Sequence, residues 1–261
     1  MRERVKTAII FGAVFIPILV LGDLPLLLLT TFLAIRGLFE LLRMINVPFF
    51  SWPSMLAHFS ISFIVFSDVI TPFLPGFTEG HHVIGMMTLA LLVLATVHQQ
   101  FTFIDAGITL IGLIYIGFGF YSLHYIRRES AFLLIFIVLI IWASDIGAYM
   151  VGRRFGKRKL APALSPNKTI EGSLGGIILA MLVGAIYISI LPSFQYNLPV
   201  GMLVAGICAV SGQFGDLIES GMKREFKVKD SGRILPGHGG ILDRFDSLIF
   251  TMTLVVLLGI V

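Results

Sequence analysis

The chain has 261 residues, of which 57% are hydrophobic and only 13% are Asp, Glu, Lys or Arg, against about 25% charged in an ordinary soluble domain. With 23 Phe, 10 Met and a mean hydropathy of +0.96, it carries more apolar surface than one aqueous core can hide, which excludes a disordered chain, a collagen and a soluble nucleic-acid binder. The net charge is a modest +4, and the single cysteine, Cys208, excludes an intrachain disulfide and a cysteine-built metal site.

A helix needs about 20 mostly apolar residues to cross the hydrocarbon layer. Such stretches fall at 6–21, 24–44, 52–74, 82–98, 103–123, 130–151, 173–191, 199–222 and 241–261. The expected fold is therefore all-α, a polytopic integral membrane protein with about nine transmembrane helices. Only Gly22-Asp23 divides the first two stretches, which form either a hairpin or one broken segment; the latter gives eight spans. Residues 1–21 have the basic start and apolar run of a signal peptide but lack a small-x-small cleavage site, so they read as a retained span. Asp105 stands at a predicted helix start, where capping is its expected role. His58, His98 and His124 read as interhelical hydrogen-bonders, and the Phe-rich stretches as lipid-facing bulk.

Lys and Arg accumulate on the cytoplasmic side of membrane proteins. With nine spans and the N-terminus inside, every basic residue of the 19 except Arg127 and Arg128 falls inside, and the C-terminus falls outside. The first region, residues 1–128, is expected to be structural and lipid-facing, with few charges beyond Arg36, Glu40 and Arg43 in its spans. Residues 129–261 are expected to form the catalytic region, with two cytoplasmic loops.

Three clusters lie in that second region. Asp145 sits near the cytoplasmic end of a span, where a carboxylate faces either a polar cavity or the headgroups and Arg153. A basic run, 152–159, follows and reads as a loop against anionic headgroups. Next comes Ser165-Pro166-Asn167-Lys168-Thr169-Ile170-Glu171-Gly172, a turn into a helix start whose backbone N–H groups and Lys168 suit a phosphate. In the third cluster, Asp216, Glu219 and Ser220 share a helix face by their spacing, as do Asp243 and Asp246. Between them runs a loop with Lys227, Lys229, Arg233, Pro236, His238 and the glycines 232, 237, 239 and 240. Glycines let a backbone approach a ligand closely, and His238 either caps a backbone group or meets that ligand. Carboxylates hold Mg²⁺, Mg²⁺ is shared with phosphates, and basic side chains neutralise the remaining charge. The pattern points to nucleotide chemistry on a lipid.

From Ser220 to Asp246 the chain resembles the signature of the CDP-diacylglycerol synthase (phosphatidate cytidylyltransferase) family. The matching positions are Ser220, Lys223, Arg224, Lys229-Asp230, Gly232, Leu235-Pro236-Gly237-His238-Gly239-Gly240, Asp243-Arg244 and Asp246. The segment 165–172 is similar to a second element of that family. The resemblance covers about 145–247 and implies an integral-membrane, Mg²⁺-dependent enzyme, with a second cation allowed for. Its substrates would be CTP and phosphatidic acid, its products CDP-diacylglycerol and pyrophosphate, its place the inner membrane with the site on the cytoplasmic side, and its assembly a homodimer. No nucleic-acid partner is expected. On this resemblance Asp216, Asp243 and Asp246 are the main metal ligands, joined by Asp145 and Glu219. Ser165, Lys168, Lys223, Arg224, Lys229, Arg244, Gly239 and Gly240 would hold phosphates, and His238 would orient a phosphate or protonate pyrophosphate. Two rivals are a lipid kinase of the dolichol-kinase type, which would release CDP, and an ion-coupled transporter. A transporter would place its carboxylates near the midplane rather than beside basic loops.

Overall fold

The computed structural model describes residues 2–73, 80–191, 194–235, 237 and 239–261. The chain is mostly helical: α1 Arg2–Leu21, α2 Asp23–Met44, α3 Trp52–Val65, α4 Ser67–Ile70, α5 Gly80–Val97, α6 Phe103–Glu129, α7 Ala131–Phe155, α8 Ile170–Ile190, α9 Leu198–Glu225 and α10 Leu242–Leu257. Among the described residues, five helices are long and apolar enough to cross a membrane, namely α2, α6, α7, α8 and α9. Nine such helices were expected. The stretch at 52–74 is not one helix: α3 ends after 14 residues, and four-residue α4 follows. Ser67, Asp68 and Thr71 fall there, and Asp68 of α4 accepts a hydrogen bond from the Tyr121 hydroxyl at 3.0 Å. The last stretch is also shorter than expected, at 16 residues. Strands were not expected at all. Between α7 and α8 the chain forms an antiparallel pair, β1 Lys159–Ala161 and β2 Ser165–Thr169, with Lys159 opposite Thr169 and Ala161 opposite Ser165.

Helix ends follow local chemistry. Gly22, with φ of 71°, breaks α1 from α2 in a conformation that favours glycine. Ser130, Thr169 and Asn197 each accept a hydrogen bond from a backbone N–H in the first turn of α7, α8 and α9. Asp105 accepts from the Thr102 N–H at 2.8 Å, while Thr102 Oγ1 accepts from the Asp105 N–H at 3.1 Å, a reciprocal cap on α6. His58 bonds within its own helix, its Nδ1 donating to the Ser54 carbonyl at 2.7 Å, and also meets the Ile35 backbone of α2.

The chain divides into two compact units, Met1–Tyr125 with Val228–Arg244, and Ile126–Lys227 with Phe245–Val261. In the first, buried Leu33, Leu38 and Leu41 of α2, Ala57 and Ile61 of α3, and Leu113, Ile116 and Phe120 of α6 form the core. Thr30 and Thr31 face this interior and satisfy their hydroxyls on the carbonyls of Leu26 and Leu27.

The second unit is built on α7, α8 and α9. Helix α8 has two faces with a four-residue repeat. Gly172, Gly176, Ala180, Gly184 and Ile188 are buried, while Leu174, Ile178, Leu182, Ile186 and Ile190 are exposed. The small face lets α7 approach backbone to backbone, the packing mode of membrane helices. A Cβ on Gly176 would lie 2.6 Å from the Ser144 carbonyl oxygen, so glycine is required there. Gly176→Val is expected to destabilise the detergent-extracted protein by about 1–3 kcal/mol. A thermal-melting scan checks this, and Ile178→Val on the exposed face should leave the transition in place.

Candidate active site

In the second unit the C-terminal half of α7, strand β2, the first turn of α8 and the middle of α9 enclose a cavity of about 500 Å³. Asp145 and Arg153 enter it from α7, Asn167 and Lys168 from β2, and Gln213 and Asp216 from α9. Alternation along β2 has a clear effect: Thr169 is buried and caps α8, while its neighbour Lys168 points into the cavity. Lys168 Nζ lies 2.6 Å from Asp216 Oδ2, and both side chains remain partly accessible. Asp216 Oδ1 accepts from the Ser220 hydroxyl one turn on, at 3.4 Å.

Gln213 joins three helices beneath the cavity. Its amide nitrogen donates to Ser144 Oγ of α7 at 3.3 Å and to the Ser173 carbonyl of α8 at 3.1 Å, while its oxygen accepts from the Ser173 hydroxyl. The sequence reading did not single out Gln213 or Ser144. A usable signal existed, because Gln213 is three residues before Asp216 on one helix face and Ser144 adjoins Asp145.

Asp246 belongs to the same unit. Gly215 of α9 packs directly on the Asp246 backbone, where an added Cβ would lie 2.4 Å from its carbonyl oxygen. That contact sets Asp246 beside Asp216, and the charges of Asp145, Asp216 and Asp246 act on one another. Glu219 is buried at 2% exposure and pairs with Lys223 one turn along α9. Arg224 Nε donates to the Leu164 carbonyl at 3.3 Å and so braces the turn between β1 and β2, which carries Ser165. Glu171, in the first turn of α8, accepts from the Lys157 and Arg158 N–H groups and pins the backbone of the basic run.

The remaining expected residues lie in the first unit. Asp243 Oδ2 accepts hydrogen bonds from the Ser231 and Gly240 N–H groups, both at 2.8 Å, and from the Ser231 hydroxyl at 2.9 Å. Lys229 and Arg244 are exposed. Gly239 and Gly240 do make close approaches, and what approaches them is the carboxylates of Asp243 and Glu40. His238 lies outside the described residues.

Three carboxylates, from α7, α9 and α10, act electrostatically on one another and face the lysines of β2 and α9, and carboxylate oxygen is the donor chemistry that hard cations take. As they stand, no three His, Cys, Asp or Glu side chains among the described residues are gathered closely enough to hold an ion. Acidic groups, cations and a solvent-reachable cavity thus meet within one unit of an apolar helical chain. Comparison with known sequences is more specific. The profile of the Cytidylyltransferase family matches residues 2–261, and the chain belongs to that family. It is 40% identical over 258 residues to the phosphatidate cytidylyltransferase of Staphylococcus saprophyticus, covering 99% of this chain and 98% of the relative. The proteins of that name from Staphylococcus epidermidis and Staphylococcus aureus are 41% and 40% identical over 259 and 260 residues, with the same coverage.

Proposed function

We propose that the chain is a phosphatidate cytidylyltransferase, which makes CDP-diacylglycerol and pyrophosphate from CTP and phosphatidic acid. The observation that carries this is about 40% identity to relatives of that name over 99% of the chain. An oxygen of the phosphatidate monoester attacks the α-phosphorus of CTP; the new P–O bond forms as the bond to the β-phosphate oxygen breaks, and pyrophosphate leaves. A phosphomonoester has a second pKa of about 6, so the nucleophile is already largely ionised at neutral pH and needs no strong base. The barrier lies in bringing two anions together and in the charge that grows on the leaving group. Lys168, Lys223 and Arg224 answer the first need by setting positive charge around the phosphates. A Mg²⁺ ion, with a second cation allowed for, would be held by Asp145, Asp216 and Asp246, and when bound it supplies charge stabilisation on the phosphate oxygens. One oxygen of Asp243 takes the Ser231 and Gly240 N–H groups and shares the Ser231 hydroxyl with Glu40, so this carboxylate shapes its own loop.

Purified protein mixed with labelled CTP, phosphatidic acid and Mg²⁺ should yield both CDP-diacylglycerol and pyrophosphate, and chelation of the metal should stop both. Release of CDP with phosphorylated lipid would instead indicate a kinase.

The basic-residue distribution supports the loops at 152–172 and 223–240 facing the cytoplasm, where CTP is available, in a protein of the inner membrane. A cysteine at Lys157 or Lys227, in a Cys208→Ala background, should resist an impermeant thiol reagent in intact cells and react once the membrane is opened. Labelling in intact cells would reverse the orientation. The homodimer rests on the family resemblance, and a molar-mass measurement in detergent tests it.

A further inference from the structure

Glu40 has no place in the reaction described above, yet both of its carboxylate oxygens are engaged by hydrogen-bond donors. It lies in the last turns of α2 at 1% exposure. An acidic side chain inside an apolar helix is costly unless its oxygens are satisfied. Here they are satisfied by one segment that follows about 190 residues later. Oε1 accepts from the Ile241 N–H at 2.8 Å, and Oε2 accepts from the Leu242 N–H at 3.0 Å and from the Ser231 hydroxyl at 2.8 Å.

We propose that Glu40 is a positioning residue that clamps both ends of the glycine-rich signature loop, 231–242, onto α2. Three observations carry this. First, the donors come from the two ends of the loop, Ser231 at its start and Ile241 and Leu242 at its close. Leu242 opens α10, so its N–H is one of those with no partner inside the helix, and a carboxylate there is favoured. Second, the Ser231 hydroxyl lies within hydrogen-bond reach of Glu40 Oε2 and of Asp243 Oδ2, and Ser231 thereby links the two carboxylates. Third, the glycines fit this clamp. A Cβ on Gly232 or Gly240 would lie 2.4 or 2.3 Å from a Glu40 oxygen, and one on Gly239 would lie 2.4 Å from Asp243 Oδ2. Side chains at these positions would expel the carboxylates that give the loop its shape. The exposed cations on or beside that loop, Lys229, Arg233 and Arg244, are thus presented by a template in the first region of the chain.

The catalytic arm of the test rests on the cytidylyltransferase reading; the second arm does not. Glu40→Gln turns an acceptor toward the donors as an NH₂ group, and Ser231→Ala removes the shared hydroxyl. Each is expected to lower kcat/KM at least about tenfold in protein that elutes as wild type. The double variant should fall little below the weaker single one, because both remove the same clamp. Independent losses would multiply. In the second arm a nitroxide on Arg233→Cys, in a Cys208→Ala background, should gain mobility when Glu40→Gln or Ser231→Ala is added, while one on Lys157→Cys keeps its spectrum. Multiplying losses, or unchanged mobility at 233, overturn the proposal. If Glu40→Gln does not fold, Ser231→Ala decides: a tenfold loss with a looser loop upholds the clamp, and wild-type turnover and spectrum overturn it. If even the unsubstituted protein fails to convert CTP and phosphatidate, the functional reading falls and the mobility arm still judges the clamp.

Discussion

Replacing Asp216 or Asp246 by Asn is expected to lower kcat by about three orders of magnitude while the extracted protein keeps its melting and elution profiles. Both residues present carboxylates in one unit, with Asp246 set beside Asp216 by the contact on Gly215. Losing one anionic oxygen from a cation site removes several kcal/mol of transition-state stabilisation, and about 1.4 kcal/mol corresponds to each factor of ten. An amide of the same shape preserves the packing, so the loss should appear in turnover and in metal dependence, not in stability. Single-turnover kinetics with a Mg²⁺ titration check this, and near-normal turnover in either variant removes that residue from the metal site.

Lys168→Ala is expected to lower kcat/KM by about 10- to 100-fold, the range for a lost charge-assisted contact. Arg at this position should restore part of it as a charge but not as a compact one. The ion pair with Asp216 adds a signed consequence. Without Lys168 the carboxylates lose a competing cation, so the variant should bind Mn²⁺ more tightly than wild type while turning over more slowly. Titration of Mn²⁺ by electron spin resonance measures the first effect and the assay the second. Weaker Mn²⁺ binding would show that Lys168 supports the metal site rather than competing with it.

Much of this site is legible in the sequence because its chemistry is local. Asp216, Glu219 and Ser220 fall on one helical face by spacing alone, and the small and large rows of α8 repeat every four residues. Long-range pairings leave no such trace. Nothing at 231–242 indicates that Glu40 binds there, and in sequence Glu40 stands only as one of three charges, with Arg36 and Arg43, in an otherwise apolar span. In sequence, 165–172 reads as a turn into a helix start and the basic run before it as a loop, because a five-residue strand beginning Ser-Pro has no apolar alternation to announce it. Hydropathy also overstates continuity. Residues 52–74 are apolar enough on average to read as one span, yet the helix breaks after Val65, where Ser67, Asp68 and Thr71 follow and Asp68 and Thr71 find hydrogen-bond partners.

Strand β2 passes into helix α8 with no connecting loop, since Thr169 ends the strand and caps the helix. Nothing flexible therefore separates Lys168 from a rod of 21 residues, about 30 Å long, whose outer row of aliphatic side chains is exposed. In a bilayer thicker or thinner than that rod, a tilt or slide of α8 would carry Lys168 with it. The hydrophobic thickness of a host membrane would in this way bear on where the ammonium group of the cavity sits.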